Sequence, residues 1–265
     1  MTTGRLLARG SRRNTTVQDY APSAGFERSM YNSQLMIEAI NDIASVAASV
    51  VMLAAYHLYL RIKLRRNPHY TIQAVNRAAR SAWVKGIMQD ESRSILGVQT
   101  LRNSTMAATF LASTAVLLII GTLTLSEQTD KLVNTWQLLN AFGSLHPGLW
   151  TAKLLFLLSN FFVAFFSFAM SVRLYNHVGY QINVPAKDRP PSINTKNVAI
   201  HLNRAGYYYS LGMRAYYYAV PLVFWLFGPH FMVAATLVLI AVLYHVDRAP
   251  QYTEELARKS LGDRL

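Results

Sequence analysis

The sequence predicts an all-α fold: an integral membrane helical bundle of four to five transmembrane helices, five favoured, with amphipathic helices at the interface. Three observations point there. Of 265 residues, 52% are hydrophobic and only 15% charged, whereas a soluble domain carries about a quarter charged residues. The charges are segregated, with long neutral runs alternating with basic ones, the pattern of a chain that crosses lipid repeatedly. The Lys and Arg residues also fall heavily on one side for one particular number of crossings.

Three regions are expected: a basic N-terminal arm over 1–35, a transmembrane helical domain over 36–248 and a polar C-terminal tail over 249–265. The arm is poor in large aliphatics and is predicted to be disordered alone. "RGSRRNTT" has paired arginines without a closely following apolar run, so it does not read as a signal peptide.

Three apolar zones follow, Ile43–Leu60, Thr105–Leu125 and Leu154–Val172. Each is near the ~20 residues that span a ~30 Å hydrocarbon core at 1.5 Å per residue. Helices are expected, because a lone segment in lipid must satisfy its own backbone groups. A fourth zone, Ala215–Val246, runs 32 residues without Lys, Arg, Asp or Glu. It is either one kinked helix or a hairpin of two spans turning near Gly228-Pro229, where proline removes a donor and restricts its neighbour.

Charge placement favours the hairpin. The loop from Arg61 to Arg102 carries nine basic residues and that from Arg173 to Arg214 six; four spans would divide the chain's Lys and Arg 15 against 11, five spans 19 against 7. Cytoplasmic loops collect the excess, so the N-terminus is expected outside. The expected location is a bacterial cytoplasmic (inner) membrane.

After Pro68, Ile72, Val75, Ala79 and Trp83 recur at helical spacing, with Gln73, Asn76, Arg77 and Arg80 on another face. That pattern predicts an amphipathic helix on the cytoplasmic surface. Leu132, Trp136 and Leu139 form a shorter stripe at the outer surface. Asp90 is placed to cap the helix leading into the second span. Ser104, Ala108 and Ala112, and likewise Ala44, Ala48 and Ala55, mark faces where spans are expected to meet closely. "NRAAR" at Asn76–Arg80 has a faint echo in "NRAGY" at Asn203–Tyr207, which chance accounts for better than duplication does.

The net charge of +13 and the apolar zones predict a bilayer with anionic headgroups as partner, and no nucleic acid. Arg61, Lys63, Arg65, Arg66, Arg77 and Arg80 are the headgroup candidates. The absence of cysteine excludes disulfides, iron–sulfur clusters and thiolate zinc sites. No Asp or Glu lies within the zones, which argues against a carboxylate-coupled carrier. Glu38 and Asp42, one turn apart, could form a cation site or simply favour a helix start. No metal site is predicted, and no catalytic residues are assigned, since no zinc-protease, P-loop or nucleophile-elbow motif is present. No cofactor is predicted; haem is held as a lesser alternative on His57 and His177, both near cytoplasmic span ends, against the reading of interfacial histidines with local hydrogen bonds.

Arg102, Asn103, Arg214, Tyr216 and Tyr218 are the candidate contacts for an anion or a partner. At 100° per residue, Tyr207, Leu211, Arg214 and Tyr218 share one face, and Tyr209, Gly212 and Tyr216 a neighbouring one. The first tyrosine triplet suits an aromatic belt. The second lies about 13 Å deeper at 1.5 Å per residue and needs partners for its hydroxyls.

Three stretches together, "AYHLYLRIKLRRNPHYTIQAVNRAARSAWVKGIMQD", "ILGVQTLRNSTMAATFLASTA" and "GMRAYYYAVPLVFWLFGPHFMVAATLVLIAVLYHVD", resemble a family of bacterial and plant membrane proteins known as domain of unknown function 599. The resemblance covers roughly residues 36–248. It implies a multi-span fold and carries no catalytic or binding residues with it. The leading functional expectation is a structural or accessory subunit of a larger membrane protein complex, with other membrane subunits as partners and an oligomer possible. The alternatives are a small transporter or channel for an anionic or neutral solute and, less favoured, a haem-binding redox subunit.

Overall fold

Every regular element is a helix in the computed structural model, which describes residues 24–68, 70–127 and 147–249. Among the described residues six α-helices follow in order: α1 (Ala24–Arg66), α2 (Ile72–Gln89), α3 (Ser94–Glu127), α4 (Pro147–Ile182), α5 (Thr195–Phe227) and α6 (Pro229–Asp247). Short 3₁₀ turns at Glu91–Arg93 and Ala186–Asp188 lie before α3 and between α4 and α5. Among the described residues there is no strand, only an isolated antiparallel bridge between Thr71 and Arg248.

The helix ends follow from local chemistry. Pro68 closes the turn after α1, and Thr71 then caps α2 by accepting from the Ala74 N–H at 3.3 Å. Asp90 accepts from Ser92 N and Oγ at 3.1 and 2.6 Å, which starts the 3₁₀ turn leading into α3. Past Pro190 and Pro191, Asn194 caps α5 by accepting from Asn197 N at 2.9 Å. Between α5 and α6 a single residue turns the chain. Gly228 has φ 148° and ψ 160°, a region in effect reserved for glycine, and Pro229 starts α6 with its missing donor where none is needed.

Among the described residues four stretches are long and apolar enough to cross a membrane: Met36–Arg66, Ser94–Glu127, Gly148–Ile182 and Pro229–Asp247. They lie in α1, α3, α4 and α6. Helix α5 is the exception, because its tyrosines, asparagines and basic residues dilute the apolar run that begins at Ala215. The fourth zone of the sequence is thus divided, its first part finishing α5 and its second forming α6.

Helices α3, α4 and α5 form the tight centre, around Ala115, Ala164, Phe168 and Ala215. One end is filled by Ile119, Trp150, Leu154, Phe161 and Leu226. At the other, Val84, Ile87 and Met88 of α2 close over Leu101, Val178, Val198 and Leu202. Helix α6 returns antiparallel along α5, and α1 packs on α6 through Tyr56, Leu239 and Leu243. Large apolar side chains line the exterior, Phe110, Phe166, Leu117 and Val238 among them, as lipid-facing surfaces require.

The small-residue faces divide. In α3, Ala108 is fully buried and Ser104 and Ala112 half-buried, as expected. In α1 the expectation is corrected, because Ala44, Ala48 and Ala55 are exposed. That helix turns Asp42, Ser45, Ser49 and Tyr56 inward instead, since its neighbours offer charged and hydrogen-bonding partners. The predicted outer stripe at Leu132, Trp136 and Leu139, most of the basic arm and nearly all of the C-terminal tail lie outside the described residues.

Candidate functional site

Two buried polar clusters tie α1 to the rest of the protein. The first stands where α1 and α6 meet the middle of α5. Asp247, the last residue of α6, is 5% exposed. Arg214 Nη2 lies 3.2 Å from each Asp247 carboxylate oxygen, and the Tyr56 hydroxyl donates to Oδ2 at 3.1 Å. Arg214 Nη1 reaches His57 Nε2 at 3.0 Å, and the Tyr218 hydroxyl meets the same nitrogen at 3.0 Å.

The far side of the His57 ring decides its tautomer. Nδ1 is 2.8 Å from the Leu53 carbonyl, which can only accept, so the imidazole proton sits on Nδ1. Nε2 is then the acceptor for both the guanidinium and the phenol. One carboxylate balances one guanidinium, and the cluster is neutral while drawing on α1, α5 and α6. Neutral pairing is the condition under which charge is tolerated in a low-dielectric interior.

The second cluster lies about 21 Å along α1, at 1.5 Å per residue. Asp42 is 3% and Lys153 2% exposed, and Lys153 Nζ lies 3.1 Å from Asp42 Oδ2. Trp225 Nε1 donates to Asp42 Oδ1 at 3.0 Å, while the Lys153 ammonium stands 5.4 Å from the centroid of the same indole. The ring therefore serves the anion through its N–H and the cation through its π face. Helices α1, α4 and α5 meet here.

Of the sequence candidates, Arg214 and Tyr218 come together, and His57 joins them. Tyr216 turns to the other side of α5, where its hydroxyl donates to the Leu111 carbonyl and its ring lies 5.3 Å from Phe168. Tyr209 and Gly212 meet that same phenylalanine, so the two tyrosine faces read from helical periodicity do address different neighbours. Arg102 and Asn103 are exposed on α3, while the Arg214 guanidinium is already committed to Asp247 and His57. Both His57 ring nitrogens are engaged within the protein. His177 lies on α4, with Ala169, Val172, Arg173, Asn176 and Tyr180, beside an open groove of about 360 Å³.

Among the headgroup candidates, Arg61, Arg65, Arg66 and Arg77 are exposed, whereas Lys63 and Arg80 are half-buried. The apolar zones hold no Asp or Glu, as read, but Asp42 and Asp247 lie just beyond their edges and the helices extend far enough to bury both. Asp42 receives its cation from Lys153, and Glu38 stays half-buried one turn away. Sequence reasoning missed Lys153, Trp225, Asp247 and Tyr56. A signal was present on α1 alone, where Asp42, Ser45, Ser49 and Tyr56 make a polar line at helical spacing.

A family model described as "Protein of unknown function, DUF599" matches residues 44–251. The chain belongs to this family. The matched stretch of the DUF599 chain holds His57, Lys153, Arg214, Tyr218, Trp225 and Asp247, and begins two residues after Asp42. No curated protein and no solved structure matches this DUF599 chain.

Proposed function

We propose that this DUF599 protein is a five-span structural or accessory subunit of a larger membrane protein complex, and that α1 is the helix it offers to a transmembrane helix of another subunit. The observation that carries this reading is the way α1 is fastened. Two neutral charge clusters pin it near both ends of a membrane crossing, yet Ala44, Ala48 and Ala55 face outward. Small side chains permit close approach of a second backbone in lipid. A pinned helix also loses little conformational freedom on association.

The fifth span in this proposal is α5, and the chain turns at Gly228. Supporting it, Arg214 lies beside Asp247, and Thr71 after α1 bridges Arg248 after α6. The ends of α1 and α6 therefore share a side, as an odd number of crossings requires for a chain whose first and last spans run parallel. The basic residues then divide 19 against 7, which supports the N-terminus outside a bacterial inner membrane. Helix α2 is assigned to the cytoplasmic interface beside anionic headgroups.

Purification from native membranes in a mild detergent, with crosslinking from a photoreactive residue at Ala48, tests the assembly role. A crosslinked membrane partner is expected. A lone monomer that yields no adduct overturns the reading. Transport of an anionic solute is the alternative, since the first cluster is polar and deeply set. It requires Arg214 to exchange Asp247 for the solute, and absence of flux in reconstituted vesicles would end it.

A further inference from the structure

A separate feature lies where α2 crosses α5, at the two segments that echo each other in sequence. Arg80 of "NRAAR" donates from Nε to Asn203 Oδ1 of "NRAGY" at 3.0 Å. The Asn203 amide is held in turn by donating to Ser81 Oγ at 2.9 Å, and Ser81 donates to the Arg77 carbonyl at 3.0 Å. The guanidinium is thus held in one orientation by a chain of hydrogen bonds. It rests directly on Gly206: a Cβ there would sit 2.7 Å from Arg80 Cζ and 2.8 Å from Nη1. Helix α5 carries no side chain where the guanidinium lies.

Among the described residues the rest of that group has no carboxylate and no hydrogen-bond partner, and the nearby Tyr175 phenol is its remaining polar neighbour. None of the three ion pairs among the described residues involves Arg80 or Arg77, and Nη1 and Nη2 of Arg80 make no hydrogen bond to described atoms. Arg77, one turn earlier, adds a second positive charge on the same side of α2. Burial lowers the Arg80 pKa, opposed by the neighbouring Tyr175 phenol and aided by a smaller contribution from Arg77. A half-buried, oriented cation next to a like charge is costly unless an anion completes it. The free edge of a guanidinium presents paired N–H groups that match two oxygens of a phosphate.

We propose that Arg80 and Arg77, at the crossing of α2 and α5, bind a phosphate group, either the headgroup of an anionic lipid or free phosphate. The site uses neither α1 nor the two charge clusters, so its failure leaves the assembly reading standing, and the reverse holds as well.

The test uses the full chain in detergent, with two arms. In the first, native mass spectrometry follows retention of dioleoyl phosphatidylglycerol against dioleoyl phosphatidylcholine. In the second, thermal unfolding is followed as inorganic phosphate is added. Arg80→Gln is expected to weaken retention or the phosphate response about tenfold, the scale of a lost charged hydrogen bond. Gly206→Ala should lower it too, by displacing the guanidinium, while Lys187→Gln, exposed in the turn between α4 and α5, should not. A response to the lipid alone names a headgroup as the source, and a response to phosphate alone names the free ion. If Arg80→Gln does not fold, Arg77→Gln, an exposed position, carries the test. Equal responses from the parent, Arg77→Gln and Arg80→Gln in both arms would overturn the proposal, as would a loss matched by Lys187→Gln.

Discussion

At the residue scale, the two ion pairs differ in how far water reaches them. The Lys153 and Asp42 side chains are 3% and 4% exposed, whereas Arg214 keeps 26% beside an Asp247 at 7%. Removing one partner of a pair as dry as the first strands a charge and costs roughly 3–5 kcal/mol. Lys153→Met is therefore expected to lower thermal stability in detergent sharply. Adding Asp42→Leu should restore most of the loss, because the stranded carboxylate is gone, while Trp225 Nε1 left without its acceptor costs about 1–3 kcal/mol. Thermal unfolding of the parent, single and double variants checks this, and a double variant weaker than the single would contradict it. For Asp247→Asn, the partial exposure of Arg214 should soften the loss to about half that of Lys153→Met.

At the element scale, the hairpin of α5 and α6 depends on Gly228. A side chain at φ 148° is strained by roughly 1–3 kcal/mol. Gly228→Val should thus destabilise the protein by about that amount, read as a lower unfolding temperature. It should also loosen the contact between Arg214 and Asp247, read as faster hydrogen exchange near the end of α6. Gly228-Pro229 was legible in the sequence because turn chemistry is local. The faces of α5 were legible for the same reason, since periodicity places Arg214 and Tyr218 together and Tyr209, Gly212 and Tyr216 together without knowledge of their neighbours. What each face meets was not. Trp225 and Asp42 lie 183 residues apart, and nothing local in either segment announces the other. Helix α1 misled for a related reason: alanine spacing suggests close packing, but the polar line from Asp42 to Tyr56 had partners to find and took the inner face. The meeting of "NRAAR" with "NRAGY" was not legible: chance accounts for their likeness in sequence, and a packing contact leaves no compositional trace.

At the scale of the molecule, the helices form a centre of α3, α4 and α5 with α2 across one end, and α6 joins α1 to it. The apolar zones made the membrane class plain, since bilayer thickness imposes a length that composition reveals. The number of crossings was harder to read: among the described residues four helices reach the length and hydropathy of a span, and α5 is too polar to be counted by composition. Substituted-cysteine labelling addresses the topology directly, and a chain without native cysteine supplies a clean background. Cysteines at Ser192 and Arg248 are expected to label from one side, and a cysteine at Ser126 from the other. Labelling of Arg248→Cys from the side of Ser126→Cys would return the protein to four spans.

The charge clusters also fix an order of events during synthesis. Helix α1 leaves the ribosome carrying Asp42 and His57, well before any of their partners exist. At ~5–20 residues per second, the 183 residues that separate Asp42 from Trp225 take about 10–40 s. Lys153 arrives first to meet the Asp42 carboxylate, and until Trp225 follows, the first helix must wait with that cluster incomplete, at the bilayer edge or in the care of the insertion machinery. Asp247 comes last of all, so the final turn of α6 locks Arg214 and His57 and completes the attachment of a helix made at the start.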